Sequence, residues 1–159
     1  MQTPGSVVSL HIAPTGAAVM QTVSSVRAVA ERGLKGDRYF TGVGTYSKKP
    51  GSGRQVTLIE SEAIESLKRE CGVELSPGQT RRNVVTRGVA LNHLVDREFF
   101  LGEVRLRGMR LCEPCAHLER LSARGALRGL IHRGGLRAEI LTGGRVKIGD
   151  AIAAVAEPR

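Results

Sequence analysis

Most apolar positions along the chain fall in short alternating runs cut off by glycine or proline, the period-2 pattern of strands. Residues 5–13 (GSVVSLHIA) predict a first strand, ended by Pro14-Thr15-Gly16. Residues 23–30 (VSSVRAVA) have the β-branched character of a second, and 55–59 (QVTLI) and 83–86 (NVVT) add two more. Val104, Leu106, Met109 and Leu111 alternate straight into Cys112-Glu113-Pro114-Cys115. Residues 136–142, 145–148 and 151–155 finish the series, punctuated by Gly143-Gly144 and Gly149-Asp150. Residues 31–40 carry two glycines three apart among charges and read as a turn or loop. Residues 41–53 (TGVGTYSKKPGSG) read as an exposed, mobile loop.

Helical periodicity is clear only over residues 61–71. Ser61 suits a cap, Glu62 and Glu65 suit the first turn, Lys68 and Arg69 the last, and Gly72 a stop. Ile64, Leu67 and Cys71 share one face, which makes Cys71 a small buried hydrophobe. Residues 91–98 suit a short helical turn. A basic helical region over 116–131 would bury Leu118, Leu121, Leu127 and Leu130, weakened by Gly125 and Gly129 and ended by Gly134-Gly135. Strands so short, not alternating with helices, argue against a parallel βαβ sheet. The expectation is a mostly β chain closed into a barrel with a few peripheral helices, one domain over residues 1–159.

Composition changes this picture little. The chain is 41% hydrophobic, has no tryptophan and is 3% aromatic, so aliphatic side chains must fill the core. No run approaches the ~20 apolar residues of a membrane span, and the first residues do not read as a secretory signal. Three cysteines are too few and too unevenly placed for a disulfide framework, which points to a reducing cytoplasm. Charge says more: 24 Lys and Arg against 15 Asp and Glu leave a net +9, which calls for an anionic partner. A phosphorylated cofactor, an acidic protein and duplex phosphate would all answer it. Single-stranded nucleic acid is a poorer fit, because few aromatics are present to stack bases. The rival reading is therefore a non-catalytic basic barrel on nucleic acid.

Candidate chemistry centres on Cys112 and Cys115. Pro114 biases Glu113 away from helix, so the strand ends in a turn that displays Cys115. Structural zinc needs about four ligands, and only Cys71 and the scattered His11, His93, His117 and His132 remain to supply them. A thioredoxin-like pair would open a helix in a βαβ unit, which this chain lacks. Two ordinary thiols at a strand end stay open as a reading. His117, two residues beyond Cys115, is either a thiol neighbour or a capping residue. Residues 41–53 lack the Lys-Ser/Thr ending of a P-loop.

Five segments, in this order, resemble the family named for the molybdenum cofactor sulfurase C-terminal domain (MOSC), over roughly residues 7–152. They are Gly33-Leu34-Lys35-Gly36-Asp37-Arg38, Arg54-Gln55-Val56-Thr57-Leu58-Ile59-Glu60, Asn83-Val84-Val85-Thr86-Arg87-Gly88, Leu101-Gly102-Glu103-Val104 leading to Cys112-Glu113-Pro114-Cys115, and Arg133-Gly134-Gly135-Leu136-Arg137-Ala138 with Gly149-Asp150. The resemblance implies a closed barrel of the pyruvate kinase kind. It implies a phosphorylated pterin holding molybdenum as cofactor, or sulfur carriage, with Cys115 as the catalytic and metal-binding thiol. Arg38, Arg81 and Asn83 would contact the pterin or its phosphate, with Asp37 orienting them. Pyridoxal phosphate is a further association of the family. A small-molecule substrate or sulfur donor and an external electron-transfer partner follow, because the family includes reductases of N-hydroxylated compounds. Those reductases carry lysine and serine where this chain has Thr15-Gly16. As a surface arginine, Arg81 is expected to matter little for stability.

Overall fold

The computed structural model describes residues 4–41 and 54–156. The loop expected over 41–53 lies, apart from Thr41, outside them. Eleven strands are formed among the described residues: β1 (Gly5–Ile12), β2 (Gln21–Val23), β3 (Ser25–Val29), β4 (Gly33–Leu34), β5 (Val56–Glu60), β6 (Val84–Arg87), β7 (Glu98–Leu101), β8 (Val104–Leu111), β9 (Leu136–Thr142), β10 (Gly144–Lys147) and β11 (Ala151–Ala154). Helices are α1 (Arg38–Thr41), α2 (Ser61–Cys71), α3 (Ala116–Leu121) and α4 (Ala126–Gly129), with 3₁₀ turns at Pro77–Thr80 and Leu91–Leu94.

Seven strands close a ring in the order β11-β7-β8-β9-β5-β6-β1, and β1 returns to β11 by pairing Gly5 with Ile152. The expected closed barrel is what the chain forms. All its pairings are antiparallel except β5–β6, where Leu58 faces Val84. Farther along, β1 leaves β11 and pairs with β2. A small second sheet, β10-β3-β4, lies outside the ring. Aliphatic side chains such as Leu10, Leu58, Leu106 and Ile140 fill the interior around Phe99. A second cluster covers the outer face of β5 and β6, where Ile59 and Val85 meet Leu67 of α2, Leu118 of α3 and Leu130 beyond α4. Covered on both faces, residues 56–59 are all buried, so this strand reads as a continuous run rather than an alternation.

Departures from the expected elements have local causes. The strand expected at 23–30 breaks at Ser24, because β2 pairs with β1 while β3 pairs with β10. The segment 31–40 holds β4 and the start of α1. The turn expected at 91–98 stops at Leu94. Asp96 (φ 62°) then redirects the chain into β7, a strand too short to show its alternation. The helix expected at 116–131 is cut by Gly125 (φ 96°), where Glu119 accepts from the backbone N–H groups of Gly125 and Leu127 at 3.0 and 3.1 Å. Helix α2 stands as expected and ends at left-handed Gly72, but Glu60 occupies its N-cap and Ser61 caps nothing. Its Ile64 and Leu67 are buried, whereas Cys71 is exposed, contrary to the expectation. The cysteine is on the core side, near Gly129, but the last helical turn overruns the cluster it would have joined. No helix among the described residues is long and apolar enough to cross a membrane.

Buried polar groups tie β1, β5 and β6 together. Asn83, with no exposed surface, accepts from Thr57 N at 3.0 Å and donates from Nδ2 to His11 O at 3.1 Å. The His11 ring is buried between two hydroxyls, Ser9 Oγ at 2.8 Å and Thr22 Oγ1 at 3.1 Å. Burial lowers its pKa from the ordinary 6.5. The unfolded chain therefore binds a proton more readily, so His11 costs no stability above about pH 6.5 and takes it away as the pH falls below that value. Urea midpoints should drop on acidification through this range, and His11→Gln should flatten the drop.

Gly135 sits at φ 112° with the place of a Cβ only 1.9 Å from Leu58 O; Gly149, at φ 91°, has open space around it. Gly149→Ala should cost roughly 1–2 kcal/mol from backbone strain alone. Gly135→Ala should cost clearly more, or prevent folding, in the same urea titration.

Candidate functional site

At one end of the barrel β8 stops at Leu111, and Cys112 N donates to Gly135 O at 2.7 Å. The Cys112 side chain is 1% exposed and belongs to the core. Pro114 turns the chain, and Cys115 follows in extended conformation at the N-cap of α3, half-buried and packed against the outer cluster. None of the three cysteines is in a disulfide.

Arg82 holds this turn from below. Its Nε donates to Gly134 O at 2.7 Å and its Nη2 to Cys112 O at 3.0 Å. Gly134 is the residue that permits the approach, since a Cβ there would lie 2.3 Å from Cys112 O. Arg81 follows the 3₁₀ turn in left-handed backbone (φ 64°), unusual for a side chain of this size. Its guanidinium donates to Gly16 O at 2.8 Å and to Ala18 O, so it clamps the segment after β1. Arg38, at the start of α1, donates to Arg81 O at 3.0 Å and to Asp37 Oδ1 at 3.1 Å. Asp37 has no exposed surface and also accepts from Ala13 N at 3.0 Å.

Arg38, Arg81, Arg82 and Arg137 line one narrow cleft with Cys115 and His117, about 40 Å³ of water-accessible space. The His117 ring lies 3.4 Å from Gly16 O, the carbonyl that Arg81 also uses. Glu113 is the one carboxylate among the described lining residues, and it is engaged by His132 at 2.9 Å. Positive charge is therefore in surplus. Burial, and then the neighbouring Arg38, pull the Arg81 pKa below the ordinary arginine value, while Tyr39 and Asp37 push the other way. An anion placed here would relieve that repulsion.

The structure brings Cys115, Arg38 and Arg81 together and sets Asp37 behind Arg38. Asn83 is not at the cleft; its side chain is used inside the barrel wall. Arg81 is 7% exposed, so the expectation of a surface arginine of little structural weight is corrected. Its burial comes from the loop it clamps, which lies more than sixty residues away in the chain. Sequence reasoning passed over Arg82 and Arg137. Arg82 is one of two consecutive arginines before a buried strand, a placement that could have flagged it. Arg137 occupies an ordinary outward position in the alternation of β9, and nothing in the pattern marks it.

The family model of the MOSC domain matches residues 45–153. Among solved structures, the chain is similar to the YuaD protein of Bacillus subtilis, with TM-score 0.81 and 17% identity, covering 99% of both chains. YiiM from Geobacillus stearothermophilus aligns with TM-score 0.73 and 14% identity over 96% of this chain and 76% of that one. YiiM from Escherichia coli gives 0.67 and 18% over 99% and 71%. No curated protein matches the sequence. Identities this low speak for the fold alone.

The backbone of Arg81 yields a test of its own. Arg81→Gly and Arg81→Ala both lose the loop clamp, but only glycine occupies the left-handed region without strain. The alanine variant should be the less stable of the two by roughly 1 kcal/mol in urea titrations.

Proposed function

The chain belongs to the MOSC domain family, and from that premise we propose that its Cys115 cleft binds a phosphorylated pterin cofactor carrying molybdenum. The observation that supports this reading is the gathering of four arginines on one half-buried thiol. The donor set fits such a group in its chemistry. Cys115 would be the soft ligand to the metal. Arg38, Arg81, Arg82 and Arg137 would face the phosphate, to which guanidinium groups are matched in shape and charge. Asp37 would keep Arg38 in position through the ion pair it already makes. When bound, the cofactor supplies a metal centre for two-electron chemistry, here the reduction of an N–O bond with electrons from an external partner.

A second reading, sulfur carriage on Cys115, is favoured by the size of the cleft. About 40 Å³ admits a single added sulfur atom as the cleft stands. Pyridoxal phosphate would meet the same arginines, but no lysine amine is among the described lining residues, which makes the pterin the better match. Binding to duplex phosphate draws on the same +9 charge. It gives no role to arginines collected around a thiol, and we place it behind the other two.

Molybdenum content measured on protein from a cofactor-producing host tests the first reading. Cys115→Ser should lose the metal, and Cys112→Ser should keep it. Retention by Cys115→Ser would overturn the assignment. Alkylation near neutral pH should modify Cys115 and leave buried Cys112 untouched; because Cys71 is exposed, the comparison belongs in a Cys71→Ser background. Rapid reaction of Cys112 with Cys115 inert would reverse the roles.

A further inference from the structure

Glu113 stands in the cysteine turn, between buried Cys112 and Pro114, and lines the same cleft as the four arginines. Its charge has the wrong sign for an anion site. Left to itself, an acid beside so many guanidinium groups would pair with one of them. It would then occupy the place that an incoming anion needs.

Instead both of its oxygens are turned to one residue outside the cleft. His132 donates its backbone N–H to Glu113 Oε1 at 2.7 Å, and its ring Nδ1 lies 2.9 Å from Oε2. An ionised carboxylate only accepts, so the ring proton must sit on Nδ1, whatever the charge of the imidazole. The backbone of His132 is in the left-handed region at φ 63°, uncommon for a residue with a Cβ. Its carbonyl is held as well, by Asn92 Nδ2 at 3.0 Å. The N–H, ring and carbonyl of this one exposed residue are thus all tied down.

The turn itself has other supports. Cys112 N bonds to Gly135 O, and Arg82 bridges Gly134 O and Cys112 O. Gly134 lies so close that a Cβ there would be 3.0 Å from Pro114 Cδ. The side chains of Glu113 and His132 are both exposed, and an exposed pair adds little to stability. What this clasp alone decides is where the acid of the turn points.

We propose that His132 is a positioning residue for the Cys115 cleft: it holds the Glu113 carboxylate off the arginines and so keeps their charge available to an anion. The inference rests on the reading of the cleft as an anion site, but not on which anion it takes.

Alkylation of Cys115 by iodoacetate and by iodoacetamide reads that charge, since the two reagents attack the same thiolate and differ in charge. The ratio of their rates is measured on the whole protein in a Cys71→Ser background, at fixed neutral pH and low salt, where screening is weak. His132→Ala should lower the iodoacetate-to-iodoacetamide ratio by about two- to fivefold. His132→Asn keeps a side-chain donor and tolerates the left-handed backbone, so it should stay near the native ratio. Combining His132→Ala with Glu113→Gln should restore the ratio to the native value or above. A merely structural loss would change both rates alike and would not be reversed by the glutamine. Inorganic phosphate, titrated against the amide shifts of residues 16–18 and 81–82, should weaken and recover in the same order. The proposal fails if His132→Ala leaves the ratio and phosphate binding unchanged or raises them, or if the double variant does no better than the single one. It fails too if neither reagent reaches Cys115 and phosphate shifts no resonance of the cleft, for then no anion site exists to be kept clear. Molybdenum content enters none of these readings, so the cofactor assignment can fall while the clasp stands, and the reverse.

Discussion

Cations withdrawn from water must be solvated by something else, and at this end of the barrel that something is backbone carbonyl. Arg38 donates to Arg81 O, Arg81 to Gly16 and Ala18, and Arg82 to Gly134 and Cys112. Three arginines from two short segments thereby knit together the segment after β1, the turn before β6, the cysteine turn and the approach to β9. Asp37 offsets one of these charges by direct pairing. The rest are held by dipoles, which satisfy hydrogen bonds without cancelling charge. Such an arrangement keeps its positive potential while staying folded. Removing one guanidinium would strip buried carbonyls of their donors, an expense larger than the bond itself is worth.

The three thiols show how position along an element decides chemical fate. Cys112 still faces the core as the strand gives out, and the barrel covers it. Cys71 lies on the correct helical face but beyond the packed surface. Only Cys115, past the proline, combines partial burial with a cationic setting.

Much of the barrel was legible because short alternating runs and glycine punctuation report directly on half-buried strands. What escaped was set by partners distant in sequence. Ser24 divides a strand because two different strands claim its halves, and no local pattern carries that. Residues 98–101 form β7 only because β8 and β11 flank them. The site was half legible: the thiol after the proline and the arginine beside Asp37 have local signatures, whereas Arg137 lines the cleft from a half-buried position of β9 that no local pattern marks. Asn83 shows the converse, a polar residue at a strand start whose bonds are spent on the wall.

The barrel is closed by pairing its first strand with its last, Gly5 against Ile152. Loop-closure entropy grows only slowly with length, so this seam is thermodynamically modest. Its consequence is kinetic, because contacts so far apart in the chain cannot nucleate folding and must wait for the intervening strands. The seam is short: two paired positions, continued by backbone bonds between Val7 and residues 149–150, against four paired positions between β7 and β8. Transient opening, and the exposure of unpaired edges that comes with it, would begin there.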